Sequence, residues 1–193
     1  MLAELRQGRR AGLLAALLVS AAVSWGAAAQ PAERCAPCHG ADGNSATPGI
    51  PSIAAQPKVF IENLLILVRE GLRGSEAMQQ VMKDVSDGDI SALAAHYARQ
   101  PVRAEQGAPD PALIRRGQEA AAKYRCGICH LPDFSGREQM PRLAGQREDY
   151  LEAIMRTYRD APPRGADTLM NAALYGVSDA DIRALAHFLA RFR

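Results

Sequence analysis

The sequence predicts an all-α protein made of two tandem copies of one small helical domain. Two pairs of segments carry the repeat: residues 51–56 (PSIAAQ) match 141–146 (PRLAGQ), and 85–99 (VSDGDISALAAHYAR) match 177–191 (VSDADIRALAHFLAR). The offset is 90 residues (51 to 141) for the first pair and 92 (85 to 177) for the second. Apolar residues recur at helical spacing in the longer pair, and no stretch alternates as a strand does. We therefore expect two related domains rather than a long array of repeats.

The N-terminus has the three parts of a secretory signal peptide. Three arginines stand among the first ten residues, an apolar stretch follows, and residues 27–29 are alanines that suit a cleavage site. We predict a signal peptide over residues 1–29 and export of the chain. The alternative is an uncleaved anchor, because residues 11–29 are uncharged and nearly long enough to span a bilayer.

The charges of the chain are balanced. Its 193 residues include 23 basic and 21 acidic side chains, with no acidic or basic tail. Cleavage after Ala29 removes three arginines and one glutamate, which leaves 20 groups of each sign. This composition is typical of a globular protein and does not indicate binding to nucleic acid.

Helix signals recur in each copy. Ser86 and Ser178 each stand three residues before an aspartate, which is the pattern of a helix N-cap, and a C-terminal helix is expected to follow. Residues 59–71 and 149–160 are predicted as middle helices, the first ended by a glycine and the second by two prolines. The domains are predicted as residues 30–100 and 113–193, joined by a proline-rich linker over 101–112.

All four cysteines lie in two Cys-x-x-Cys-His motifs, residues 35–39 and 126–130. A disulfide framework would cluster its cysteines, and a zinc site places its second pair about 15–20 residues after the first, whereas Cys38 and Cys126 are 88 residues apart. A thioredoxin-like pair needs a strand–helix–strand setting, which is missing from the pattern. A histidine directly after the second cysteine predicts covalent attachment of c-type haem.

The spacing of the motif suits this chemistry. Residues i, i+3 and i+4 share one helical face, so two thiols can meet the vinyl groups of one haem edge while the imidazole lies under the iron. We predict two covalently bound haem c groups. The predicted thioethers are Cys35, Cys38, Cys126 and Cys129, and the predicted iron ligands are His39 and His130.

The opposite face of each iron could take a methionine, a histidine or no ligand. Met78 and Met170 each lie eight residues before the N-cap serine of their copy, so we predict that they are the axial ligands. Met82, one helical turn from Met78, is the rival in the first domain. His96 and His187 do not occupy equivalent positions, and a surface or helix-packing role is expected for them.

Two prolines follow the motif histidines at similar distances. Pro51 is 12 residues after His39, and Pro141 is 11 residues after His130. A ligating imidazole usually donates its other N–H to a carbonyl or carboxylate, and either proline could supply that acceptor or only shape a loop.

Over residues 34–193 the chain resembles class I cytochromes c, and the tandem pair is similar to the diheme cytochrome c4 family. The two CxxCH motifs, the PSIAAQ and PRLAGQ segments and the methionine–VSDxDI blocks carry the resemblance. It implies two tandem class I domains, each of a few helices wrapped around a covalent haem with His/Met ligation. It also implies that the carbonyls of Pro51 and Pro141 accept from the axial histidines. Members of that family carry electrons between respiratory complexes in the bacterial periplasm.

The first copy departs from the family pattern. Family domains open with a helix whose glycine packs on the C-terminal helix, and Gly117, nine residues before Cys126, fits this role. The residue nine before Cys35 is Gly26, inside the predicted signal peptide. Three explanations stay open: the first domain lacks the helix, cleavage occurs further upstream, or the segment is retained. We expect the first domain to be the less stable one.

The predicted function is a periplasmic electron carrier in a respiratory chain, not an enzyme. The expected partners are redox proteins: a quinol-oxidising cytochrome complex, a terminal oxidase or a periplasmic dehydrogenase. Contact with a membrane is expected only at its surface or through an uncleaved N-terminal segment. One alternative is the electron-entry cytochrome subunit of a dehydrogenase. The other, a diheme peroxidase-type enzyme, is disfavoured by the paired methionines and by the lack of acid–base residues near either motif.

Overall fold

The structure, a computed structural model, describes residues 29–104, 107–164 and 168–193, so the predicted signal peptide lies outside it except for Ala29. Within these ranges the regular structure is helical, and the single β-type contact is a bridge between Arg137 and Met140. The predicted all-α fold is confirmed. None of the described helices has the length and apolar character needed to cross a bilayer.

The described helices of the two copies follow the same order, except that one helix leads into and through the motif in the first copy and two helices do so in the second. The first copy holds α1 (Ala29–His39), α2 (Lys58–Arg69), α3 (Glu76–Met82) and α4 (Asp87–Ala98). The second copy holds α5 (Pro111–Lys123), α6 (Gly127–His130), α7 (Glu148–Asp160), α8 (Thr168–Leu174) and α9 (Asp179–Arg191). Both predicted middle helices are present as α2 and α7, with ends within two residues of the expected ones. The short helices α3 and α8 were not predicted, because seven residues are too few to show a helical period.

Each copy has its own apolar core. In the first, the buried faces of α2 and α4 enclose Ile61, Leu65, Leu93 and Tyr97. In the second, α5, α7 and α9 meet around a larger cluster that includes three phenylalanines, Phe134, Phe188 and Phe192, whose rings pack edge to face. Two separate cores agree with a sequence in which a whole domain is repeated.

The serine caps confirm the predicted starts of the C-terminal helices. The Ser86 side chain accepts a hydrogen bond from the Asp89 N–H, and the Ser178 side chain accepts one from the Asp181 N–H, both over 3.1 Å. Each cap satisfies one of the N–H groups that the first turn of a helix leaves without an intrahelical acceptor.

The helix that leads into each motif differs between the copies. In the second copy, α5 packs directly on α9 at Gly117, where a Cβ would lie 2.4 Å from the Ala184 carbonyl oxygen and from the Phe188 Cβ. In the first copy, α1 runs through the motif and ends at His39. The expected glycine contact is therefore present in the second domain, whereas Gly26 lies outside the described residues.

Candidate haem sites

The histidine of each motif is held by the carbonyl of a proline. His39 Nδ1 donates to the Pro51 oxygen over 2.8 Å, and His130 Nδ1 donates to the Pro141 oxygen over the same distance. Because Nδ1 carries the proton, Nε2 is the ring nitrogen with the free lone pair. A ring fixed in this tautomer presents Nε2 as a metal ligand.

Both imidazoles are buried, with exposed fractions of 8% for His39 and 6% for His130. Burial lowers the pKa of each histidine below its ordinary value, against the smaller opposing effect of the proline carbonyl. The neutral imidazole is therefore the stable form. A histidine must be neutral to bind a metal, so this environment suits an iron ligand.

The loops after the two motifs are built alike, and they bring each proline over its histidine. In the first copy, the N–H groups of Ile53 and Ala54 donate to the Gly43 carbonyl. In the second, the N–H groups of Leu143 and Ala144 donate to the carbonyl of Phe134. Both acceptor residues have positive φ, +77° at Gly43 and +54° at Phe134. The turn therefore needs a left-handed residue, which glycine supplies without strain.

None of the four cysteines forms a disulfide bond. In each motif the first is the more buried: Cys35 is buried and Cys126 half-buried, while Cys38 and Cys129 are exposed. Burial raises the pKa of the Cys35 and Cys126 thiols. In each copy, two cysteines that form no disulfide lie beside a buried, neutral, carbonyl-bound histidine, and this donor set fits a covalently attached haem.

Met78 and Met170 lie in equivalent surroundings. Each is half-buried and packs against the edge of the core of its own copy. Met82 differs, because it is only 1% exposed and lies inside the first core. Its counterpart at the same offset of 92 residues is Leu174, which is likewise buried. A buried methionine whose counterpart in the other copy is a buried leucine fits a core-packing role.

The other two histidines contact protein groups. His187 is buried on α9, where its Nε2 accepts from the Asp110 N–H over 2.9 Å and its Nδ1 lies 3.1 Å from a carboxylate oxygen of Glu148. His96 lies beside Gln100 on α4. Of the two roles expected for His187, surface or helix packing, the structure shows helix packing. The side chain connects the start of α5 to α7 and α9.

Sequence reasoning missed the contacts between the two copies. The side chains of Gln56 and Gln146 reach across and pair with the backbone of the opposite copy. Arg142 is also buried between the copies and donates to the carbonyl of Ala54 over 2.8 Å. Burial lowers the pKa of its guanidinium to about 10. The two glutamines end the repeated PSIAAQ and PRLAGQ segments, which is the signal that could have drawn attention to them.

Comparison with known proteins agrees with this geometry. Residues 114–192 match the family model described as cytochrome c, and residues 27–96 match the one described as cytochrome c oxidase, cbb3-type, subunit III. The thiosulfate dehydrogenase electron acceptor of Thiomonas intermedia is 31% identical over 188 residues, which cover 92% of this chain and 87% of the relative. Cytochrome c4 of Thiocapsa roseopersicina is 31% identical over 172 residues, 80% of this chain and 85% of the relative. The crystal structure of reduced cytochrome c4 from Pseudomonas stutzeri superposes with a TM-score of 0.77 at 26% identity, and covers 86% of this chain and 98% of that one.

Two helical domains in tandem, each with a buried CxxCH histidine, define a diheme protein of the class I cytochrome c type. The chain belongs to the cytochrome c4 family. It is accordingly an electron-transfer protein with two covalently bound haem c groups.

Proposed function

We propose that the chain is an exported, periplasmic electron carrier that works by cycling two haem irons rather than by transforming a substrate. The observation that carries the proposal is the duplicated contact between a buried motif histidine and a proline carbonyl, 2.8 Å long in both copies. When bound, each haem supplies a one-electron iron couple. The protein supplies the ligands and their orientation.

Each residue of the site has a proposed task. The thiols of Cys35 and Cys38, and of Cys126 and Cys129, hold the haems covalently. His39 and His130 ligate iron through Nε2, and Pro51 and Pro141 hold their rings. Met78 and Met170 close the opposite face, and Met82 is left as a core residue because of its burial. Thioether ligation favours ferrous iron and raises the potential, which suits a carrier that accepts electrons.

The boundaries are part of the proposal. We assign residues 1–29 to a signal peptide, 30–100 to the first cytochrome domain, 101–112 to a linker and 113–193 to the second domain. The separate apolar cores support two domains, and the positively charged, apolar N-terminal sequence supports export to the periplasm.

The partners are proposed to be redox proteins of the respiratory chain, a quinol-oxidising complex on one side and a terminal oxidase on the other. The similarity to a thiosulfate dehydrogenase electron acceptor favours a second candidate, in which a periplasmic dehydrogenase is the donor. In both cases electrons enter and leave through the haem edges. The two candidates differ in whether a dehydrogenase chain co-purifies with this one.

Mass spectrometry of the protein purified from the periplasm tests the proposal. After denaturation and extraction with acidified solvent, the mass should exceed that of the chain by two haem groups. The reduced protein should hardly bind carbon monoxide at neutral pH, because both irons are closed by a histidine and a methionine. A bare chain mass would refute the haem assignment. Stoichiometric carbon monoxide binding at one haem, with peroxide turnover, would point to a peroxidase-type enzyme instead.

A further inference from the structure

Two glutamine side chains form a reciprocal clamp between the domains. Gln146 Oε1 accepts from the Ser52 N–H and its Nε2 donates to the Ser52 carbonyl, both over 2.7 Å. In the other direction, Gln56 Oε1 accepts from the Arg142 N–H over 2.9 Å and its Nε2 donates to the Arg142 carbonyl over 3.1 Å. The four residues are at most 4% exposed. Ser52 and Arg142 occupy equivalent positions in the repeat, so one pairing occurs twice.

The clamped residue is the one directly after the proline that holds the histidine. Pro141 and Arg142 share one peptide group, whose carbonyl accepts from His130 Nδ1 and whose N–H donates to Gln56. The peptide group between Pro51 and Ser52 is bonded in the same way, to His39 on one side and to Gln146 on the other. A continuous chain of hydrogen bonds therefore runs from the histidine of one domain to the glutamine of the other.

The glutamines are fixed by their own domains. The residue before Gln56, Ala55, donates its N–H to the Tyr97 carbonyl at the end of α4 over 2.8 Å. The residue before Gln146, Gly145, donates to the Leu189 carbonyl of α9 over 2.9 Å. The backbone before each glutamine is thus anchored on the C-terminal helix of its own domain, while the side-chain amide bonds to the peptide of the other domain.

We propose that each glutamine is a positioning residue for the haem of the opposite domain, so that each domain sets part of the potential of the other. Hydrogen bonds in a chain polarise one another, so donation of the peptide N–H to the glutamine makes the proline carbonyl a stronger acceptor. A stronger acceptor at Nδ1 increases the basicity of the histidine ligand, and a more basic ligand favours ferric iron. The clamp should therefore lower the potential of the haem across the interface. This inference rests on the proposed function, because it needs His39 and His130 to ligate iron.

Two matched variants test the crossed effect. Gln56→Leu and Gln146→Leu each remove one amide from the clamp, and each serves as the control for the other. We expect Gln56→Leu to raise the potential of the second haem more than that of the first, and Gln146→Leu to do the reverse. The potentials are measured by spectroelectrochemistry of the full haem-loaded chain. The haem signals are assigned to each domain by ¹H NMR, in which the His Nδ1–H resonance of the opposite domain should also shift.

A third variant separates this effect from simple loosening of the interface. Arg73 donates to the Tyr158 hydroxyl across the same interface over 3.0 Å and bonds to neither proline peptide. Even where Arg73→Ala loosens the interface, it should not shift the potential of the opposite domain's haem more than that of its own. If Gln56→Leu yields no protein with two haems, Gln56→Glu takes its place. A carboxylate is a stronger acceptor for the Arg142 N–H and should lower the potential of the second haem, opposite in sign to the leucine variant.

The outcomes separate the inference from the proposed function. The haem content of each variant is counted first, and a wild-type chain without two haems would refute the function itself. With two haems present, a larger shift at the haem of the mutated domain, or equal shifts at both haems, would overturn the crossed assignment and leave the carrier function standing. A larger shift at the haem of the opposite domain, in both leucine variants, would support the crossed assignment.

Discussion

Within the residues that the structure describes, the two domains differ most in the helix that leads into the haem motif. In the second domain, α5 has 13 residues and lies directly against α9 at Gly117. Its N-cap residue Asp110 donates its N–H to His187 of α9. In the first domain, α1 reaches α4 through a hydrogen bond from the Tyr97 hydroxyl to the Ala32 carbonyl, 3.3 Å long.

Polar contacts show the same difference. Asp181, in the first turn of α9, accepts from Arg116 Nε and from the Tyr124 hydroxyl, both over 2.9 Å, so it ties α9 to α5. Its counterpart Asp89 bonds to Ser86, the N-cap of its own helix.

The part of each domain that holds the histidine is nevertheless the same in both copies. The loop that holds the motif histidine is therefore alike in the two domains, whereas the packing of the leading helix on the C-terminal helix differs. These two parts of the domain can vary independently. We expect the second domain to be stabilised by its own packing, and the first to depend more on its haem and on the interface with its neighbour.

The largest effect is expected where α5 and α9 touch. Gly117→Ala places a Cβ against backbone and should destabilise the second domain by about 3 kcal/mol. Denaturant unfolding of the haem-loaded protein, followed by far-ultraviolet circular dichroism, measures the loss. Gly88→Ala in α4 is the control, since its Cβ would meet only the Ser86 hydroxyl at 3.8 Å, and a change of less than about 1 kcal/mol is expected. Equal losses of unfolding free energy in the two variants would contradict the inference that α5 and α9 pack closely at Gly117.

An intermediate effect is expected at Asp181. Burial opposes its ionisation, but hydrogen bonds from Tyr124, Arg116 and Ser178 outweigh this and hold the pKa of Asp181 below its ordinary value. Asp181→Asn should therefore cost the second domain about 2 kcal/mol at neutral pH.

The same substitution should change the response to acid. Because the pKa of Asp181 is lowered by folding, its stabilisation is complete above the ordinary carboxyl pKa and is lost as pH falls through the folded value. The wild-type protein should thus lose second-domain stability in acid more steeply than Asp181→Asn does. Asp89→Asn in the first domain is the control. If it changes the dependence of stability on pH equally, the hydrogen bonds from Arg116 and Tyr124 to Asp181 do not have the proposed role.

The smallest effects are expected from two tyrosine hydroxyls. Tyr97→Phe removes the bond to the Ala32 carbonyl and should cost the first domain about 1 kcal/mol or less. Tyr124→Phe removes a bond to a carboxylate and should cost the second domain about 1.5 kcal/mol. Thermal unfolding of both variants measures the difference, and the reverse order would show that α1 is held as firmly as α5.

Most of the fold could be predicted because its signals are local. The serine caps, the helical spacing and the proline and glycine stops all act within a few residues of one another. The resemblance added the expected partner of each motif histidine, and the structure places Pro51 and Pro141 in hydrogen-bond contact with them.

The contacts between the domains could not be predicted in this way. Gln56 bonds to a residue 86 positions away and Gln146 to one 94 positions away, so no local sequence pattern predicts either bond. Both glutamines look like polar surface residues in the sequence, whereas the structure buries their side chains and bonds them to the other domain. Arg142 was missed for the same physical reason, since its acceptor, the Ala54 carbonyl, belongs to the other copy.

The most direct test of the account is the ligand set of the two irons. Met78→Leu and Met170→Leu should each remove about half of the sulfur-to-iron charge-transfer absorption of the oxidised protein and lower the potential of one haem, because thioether ligation favours ferrous iron. Met82→Leu is the matched control, since it copies the leucine found at the equivalent position 174, and it should leave the absorption whole. Loss of half the absorption in Met82→Leu, with none in Met78→Leu, would contradict the account of the first domain.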